Sequence, residues 1–249
     1  MLQDVGWLAL GSLLSLGILA IPFTVFCTVG VLNAVNMSDG LDGLAGGLAL
    51  VTLGSLSYLA YYTGHSENLD ALVVLMACIM GFLVFNARSP WCKKAKVFMG
   101  DAGSMFLGFV IARFLIDFSQ GDQRIMHPVI ALWIFAVPLM DTVAVMLRRM
   151  LAGHSPFSAD RKHLHHILLS IGLSPGQTVI AIWVLAVLLA IIGIVGHMAK
   201  LPDETMFFGF LGLFAVYTGT LSYLGGLQPG SHTSSDSGTA SAAETSGQM

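Results

Sequence analysis

Four polar side chains, Asn33, Asn36, Asp39 and Asp42, stand between two long apolar runs, with Gly40 and Gly43 allowing the chain to turn tightly among them. An Asp or Asn capping a helix would explain one of these residues, and Asp39 is placed to cap the following run, but one cap does not explain two amides and two carboxylates. A second cluster, Lys96-Val-Phe-Met-Gly-Asp101-Ala-Gly-Ser104, enters another apolar run. Asp101 is either an N-cap or a ligand for a hard cation that stays open to a phosphate. The third cluster is Pro156-Phe-Ser-Ala-Asp160-Arg161-Lys162-His163-Leu-His165-His166. Its imidazoles, beside Arg161 and Lys162, suit an anion such as a diphosphate. Zinc and plain packing are the alternatives, and the adjacent positive charge and missing cysteine weigh against zinc. Carboxylates and amides for Mg²⁺, together with His, Arg and Lys for phosphate oxygens, are the pairing that phosphoryl transfer needs. At a membrane edge, such a site implies one lipid substrate and one soluble one.

These residues need elements to hold them in place. The chain has 249 residues, 55% hydrophobic and 10% charged, with a mean hydropathy of +0.81; soluble domains carry roughly 25% charged residues. Its apolar runs are of membrane-crossing length. They are apolar all round, without the alternation of a barrel strand, so helix is expected. Seven spans are predicted, near 13–35, 42–62, 70–87, 103–118, 128–147, 178–197 and 205–224, with a turn at 36–41. Breaks fall at Ser89-Pro90, Gly153 to Pro156, Ser174-Pro175-Gly176 and Pro202. The expected architecture is an all-α polytopic membrane protein with one transmembrane domain over 1–227. Residues 228–249, rich in Ser, Gly, Thr and Ala, form a polar tail too poor in apolar residues to order itself.

With seven spans, Arg88, Lys93, Lys94, Lys96, Arg148, Arg149, Arg161 and Lys162 share one side, and only Arg124 and Lys200 lie on the other. The basic side is then cytoplasmic, and all three polar clusters lie on it. Asp141, at the polar end of the fifth predicted span, is open to two readings. One is a functional intramembrane carboxylate; the other, favoured here, is a helix–helix hydrogen bond or a pair with Arg148. Cys27, Cys78 and Cys92 have no metal-ligand spacing and read as structural. No basic patch with interleaved aromatics points to nucleic acid. The first ten residues carry Asp4 and no basic residue, which suits neither a signal peptide nor a first signal-anchor; the chain is expected to be the C-terminal part of something longer.

Asn33 to Gly43, Val97 to Ser104, Pro138-Leu-Met-Asp141 and Pro156 to His166 together resemble the polyprenyl-phosphate N-acetylhexosamine-1-phosphate transferases. The likeness is closest to their undecaprenyl-phosphate N-acetylglucosaminyl branch, over about residues 5–225 and in the family's order. The resemblance implies an MraY-like fold in the bacterial plasma (inner) membrane, with the active site on the cytoplasmic face. It implies transfer of GlcNAc-1-phosphate from UDP-GlcNAc to undecaprenyl phosphate, releasing UMP, with Mg²⁺ or Mn²⁺, at the start of cell-surface polysaccharide synthesis. It carries Asp101 over as principal metal ligand and Asn36 as a second. Asp39 and Asp42 match the acidic pair for nucleotide-sugar binding and catalysis, and Asn33 lies with them. His163, counted with the catalytic residues, and His165 and His166 match the histidine motif near the diphosphate. Arg161 and Lys96 are further phosphate-binding candidates. A homodimer is left open. The family's upstream Asp-Asp motif lies before the range that numbering from Met1 covers. A sister transferase for another UDP-HexNAc or for phospho-MurNAc-pentapeptide is the nearest alternative. An inactive relic, a transporter and a scaffold follow, although the polar residues crowd one face rather than a midplane and no repeat relates the two halves.

Overall fold

The computed structural model describes residues 1–6, 15–65, 68–88, 93–151, 153, 155 and 163–226. Among these residues, after a short 3₁₀ turn at Gly17–Leu19, nine α-helices follow: α1 Ala20–Ser38, α2 Leu44–Thr63, α3 Leu69–Asn86, α4 Gly100–Ser119, α5 Pro128–Ile134, α6 Ala136–Leu151, α7 Leu164–Ser170, α8 Pro175–Met198 and α9 Asp203–Gly226. Six of the described segments are long and apolar enough to cross a membrane, and the pair α5–α6 makes a seventh if it counts as one bent span. The expectation of an all-α, multi-pass membrane protein holds among the described residues. The polar tail from 228, Cys92 and the stretch 156–162, which includes Arg161, lie outside them.

α2 is the central helix: 61% of its apolar window is buried, against 17% for α1 and α3 and 11% for α9, whose apolar faces remain for lipid. Against it, the Trp183 indole of α8 lies on Gly47, with Nε1 donating to the Leu44 carbonyl at 3.4 Å. α1 and α4 pack most closely at Gly108, where an added Cβ would fall 2.8 Å from the Cα of Leu32. A turn further toward the acidic residues, the same pair of helices is bridged by Ser104 and Asn36.

Two expectations need correction. The run 128–147 is not one straight helix, because α5 and α6 meet at Phe135 with an 86° bend. Pro138 is the cause that the sequence supplies: it has no N–H to return to Ile134, and its ring crowds that carbonyl, so the helix breaks and restarts with Pro138 in its first turn. The first span also runs to Ser38, so Asn36 sits on helix rather than in the turn expected from 36. Polar side chains here are satisfied within the helix: Asn33 Nδ2 donates to Val29 O at 2.8 Å and Ser38 Oγ to Ala34 O at 2.7 Å.

The connections separate into two ends. One end gathers the C-terminus of α1, the N-terminus of α2, the segment before α4, and α7, and Arg88 and Lys93 to Lys96 follow α3 there. The other gathers residues 3–6, Gln120 to Pro128 and His197 to Glu204, with Arg124 and Lys200 among them. A cleft of about 580 Å³ opens at this second end.

Candidate functional site

The helix-capping readings of Asp39 and Asp101 do not survive the structure. Asp39 follows the last turn of α1, and α2 is capped by Gly43, whose φ of +87° is a left-handed conformation. A Cβ there would also meet Ala87 at 3.0 Å. α4 is preceded by Met99 with no side-chain cap, and Asp101 lies within its first turn, near the positive end of the helix dipole. Both carboxylates are therefore available for other work.

Asn36 and Asp101 are brought together by the close α1–α4 packing. Ser104 Oγ donates to Asn36 Oδ1 at 2.6 Å and lies 3.1 Å from the Asp101 carbonyl. Asp39 is half-buried, and burial, then the charges of Asp101 and Asp42, push its carboxyl up to about 6. Asp42 and Asp101 thus lie close enough to Asp39 for their charges to add to the burial that opposes its ionisation. Among the described residues no three His, Cys, Asp or Glu side chains form a closed metal cage. Mg²⁺ does not need one, since it keeps several waters and takes one or two carboxylates plus substrate phosphates. The crowded charge at Asp39 is what such a cation would relieve.

Asp42 faces a partner that the sequence reading used only for topology. Its Oδ2 accepts from Arg88 Nε at 2.9 Å and from the Ala95 N–H at 3.3 Å. Asn86 reinforces the tie, accepting from Gly43 N at 2.8 Å and donating to Val97 O at 2.8 Å. The segment that carries Lys96 is thereby stapled to the α1–α2 turn, and Lys96 itself is exposed, its N–H on Phe85 O. Asn33 lies one turn back along α1, engaged with its own helix.

The histidines reach the same place from far along the chain. His165 is buried against Gly40, where an added Cβ would lie 2.6 Å from its Nε2. Its ring is parallel to that of His163, with centroids 5.8 Å apart, and 4.2 Å from that of the exposed His166. Burial, then the neighbouring His166, lower His165 to about 4, so it is a neutral donor and not the cation that the basic sequence context suggested. His163 is also buried, its Nδ1 2.9 Å from Asp141 Oδ2. Asp141 Oδ1 accepts from Leu164 N at 2.8 Å and Tyr217 OH at 3.1 Å. The helix–helix bond expected of Asp141 exists through Tyr217 of α9, but its main partners are in the histidine segment. Arg88, Asn86, Ser104 and Tyr217 were missed. Each is an ordinary polar residue whose partner is remote in sequence, and no local pattern marks them.

The fold and this site define a class: a multi-pass helical membrane protein whose acidic turns and histidines meet at one end of the bundle. Residues 1–119 match the model of glycosyl transferase family 4. The chain is 39% identical over 195 residues to the undecaprenyl-phosphate alpha-N-acetylglucosaminyl 1-phosphate transferase of Yersinia pestis, covering 78% of this chain and 53% of that protein. It is 40% identical over 210 residues to the protein of the same name from Haemophilus influenzae, covering 84% and 59%, and 36% identical over 195 residues to that of Escherichia coli strain K12. Residues 1–119 thus carry the likeness to glycosyl transferase family 4, and the likeness to the named transferases runs over 78% to 84% of the chain. The chain spans about half the length of the curated relatives that it matches.

Proposed function

We propose that this chain carries the reaction end of an enzyme that transfers GlcNAc-1-phosphate from UDP-GlcNAc to undecaprenyl phosphate in a bacterial inner membrane, with the site on the cytoplasmic face. The observation that carries the proposal is the convergence of Asp39, Asp42 and Asp101 with His163, His165 and His166, from three separated stretches, at one end of an apolar bundle. The relatives' names supply the substrates, and the basic residues beside the site support its cytoplasmic orientation.

In this reading Asp101 and Asn36, with Asp39 beside them, hold Mg²⁺. The cation supplies charge neutralisation for the diphosphate and the leaving UMP. Asp39 takes the role of base or positioning carboxylate toward the lipid phosphate, while Asp42, held by Arg88, fixes the turn that presents it. His165 donates a neutral N–H to a phosphate oxygen and His166 a further N–H beside it, with Arg161 and Lys96 as additional donors. Little covalent work falls to the protein, since orientation and charge stabilisation lower the barrier.

The test is radiolabelled GlcNAc-1-phosphate transfer to undecaprenyl phosphate in detergent, across a Mg²⁺ titration. Asp101→Asn should insert and fold normally but lose at least about a hundred-fold in turnover, as removal of a ligand to a catalytic metal predicts. Near-normal turnover of Asp101→Asn at low Mg²⁺ would remove it from the site, and a wild-type chain with no transfer at any Mg²⁺ concentration would overturn the proposal for this chain.

A further inference from the structure

We infer that Asp141 is the positioning residue of the histidine segment, fixing the proton of His163 on Nδ1 and leaving the Nε2 lone pair to accept from an O–H or N–H of the nucleotide sugar. The inference deepens the phosphate-transfer reading and rests on it for the identity of the substrate. The reading of the ring itself stands on geometry alone.

One carboxylate serves three groups on two elements. The Leu164 N–H, the first amide of α7, and the Tyr217 hydroxyl of α9 both donate to Oδ1. The other oxygen faces His163 Nδ1 at 2.9 Å. Because Oδ1 is filled by donors, Oδ2 is left to accept from the ring, which places a proton on Nδ1. The nitrogen that a histidine offers to a ligand is set by the hydrogen bond that its other nitrogen makes. Asp141 therefore determines which ring nitrogen carries the proton and which accepts, and its bond to Leu164 N fixes where α7 begins. The placement of His165 against Gly40, one residue beyond Leu164, follows from that start.

Asp141 is itself held rigidly. It sits in the second turn of α6, close after the Phe135 bend, and α6 contains both the bend-forming Pro138 and the carboxylate. The bend takes α6 out of line with α5 and turns this stretch toward the end of α1: Val137 and Asp141 line one small space with Ser38, Leu44 and His165. The spacing from Pro138 to Asp141 thus joins a helix break to a clamp. Arg148, the partner first considered for Asp141, is two turns further along the same helix.

The experiment uses ¹⁵N-histidine-labelled chain in detergent, with the His163 ring signals assigned by loss in His163→Gln. In the wild type, His163 should be protonated on Nδ1. Asp141→Asn replaces an acceptor by an amide that can turn its NH₂ to the ring, so a resolvable fraction of His163 should carry its proton on Nε2 alone. Affinity for Mg²⁺–UDP-GlcNAc, measured by calorimetry, should fall about tenfold, the loss expected when the acceptor opposite a substrate O–H or N–H becomes a second donor. Tyr217→Phe removes one donor from Oδ1 without touching the ring, and should leave the tautomer in place and the affinity within about twofold. A wild-type His163 protonated on Nε2 alone would overturn the inference, as would an Asp141→Asn chain with unchanged tautomer and unchanged affinity. Should Asp141→Asn fail to fold, the wild-type spectrum decides. A wild type that keeps the Nδ1 proton but does not bind the nucleotide sugar overturns the substrate reading and leaves the positioning role of Asp141 standing.

Discussion

Among the described residues, an aspartate oxygen meets a histidine Nδ1 at 2.9 Å twice, once at each end of the bundle. At the second end, His127 pairs with Asp203, the histidine side chain 39% exposed and the carboxylate 6%. That pair joins the start of α5 to the start of α9, with Gly6 packed on Asp203 and Arg124 reaching Asp4 nearby. Arg124 faces Asp4, the His127 ring lies on the Asp203 oxygen, and these contacts hold chain segments together. At the first end, the His163–Asp141 pair is 8% and 12% exposed and leads directly into His165 and His166. Beside it, burial and then the charges of Asp101 and Asp42 raise Asp39 to about 6. The same two side chains at the same distance act as a fastener in one setting and as part of a working site in the other. What distinguishes them is uncompensated charge next to the pair. The larger cleft, at the fastened end, is a poor guide to where the chemistry lies.

The strongest test of this contrast is Asp39→Asn. It should abolish transfer by at least about a hundred-fold while raising the thermal midpoint of the metal-free chain at neutral pH. The native carboxylate is ionised there against burial and two like charges, and the amide is not. A fall in both activity and midpoint would mean that Asp39 is held by compensating contacts, as Asp203 is.

A subtler consequence lies in the pH dependence of stability. Asp39, raised in the fold to about 6 from 3.8, binds protons more readily folded than unfolded between those values, so it contributes stability as pH falls through that window. His165, lowered to about 4 from 6.5, binds them less readily when folded, so it loses stability as pH falls from 6.5 toward 4. The two slopes oppose and flatten the wild-type profile. Thermal scans in Mg²⁺-free detergent from pH 7 to pH 4 should separate them: Asp39→Asn should lose midpoint more steeply than wild type on acidification, and His165→Gln less steeply. Parallel profiles for all three chains would refute both assignments.

The smallest expected effect is at the fastened end. Asp203→Asn keeps an acceptor for His127 Nδ1 and should change transfer by no more than about twofold, with a stability cost of about 1–3 kcal/mol for weakening a buried hydrogen bond to a carboxylate. A large loss of activity from this substitution would erase the distinction between the two ends.

Much of the bundle was legible in the sequence because hydrocarbon imposes a simple rule: runs apolar on every side and of spanning length are helices. The bend at Phe135 was not, although its cause, Pro138, was in plain view. Hydropathy sums over a window and takes no account of a missing N–H, so 128–147 reads as one span. In the site, the residues legible in advance were those dense in charge or imidazole, namely Asp39, Asp42, Asp101 and the histidines. Arg88, Asn86, Ser104 and Tyr217 act by reaching partners 43 to 76 positions away. Asn or Ser in an apolar stretch looks the same whether it bonds its own helix, as Asn33 does, or joins two helices, as Ser104 does. The charge state of His165 was also hidden, because Arg161 and Lys162 beside it in sequence suggest a cationic patch, whereas burial decides the outcome.

Gly108 has a consequence of another kind. The absence of its side chain lets α4 rest directly on the backbone of α1 at Leu32. That contact acts as a datum face in the machinist's sense, the surface from which every later dimension is measured. Seven residues of helix separate it from Asp101, roughly 10 Å at 1.5 Å per residue, and four separate Leu32 from Asn36. Both arms are stiff, so a shim one carbon thick at 108 would be carried along them to the far ends. Catalytic groups misplaced by about 1 Å can lose a hundred-fold in rate. The tolerance of the acidic site is therefore set at a position that bears no functional group at all.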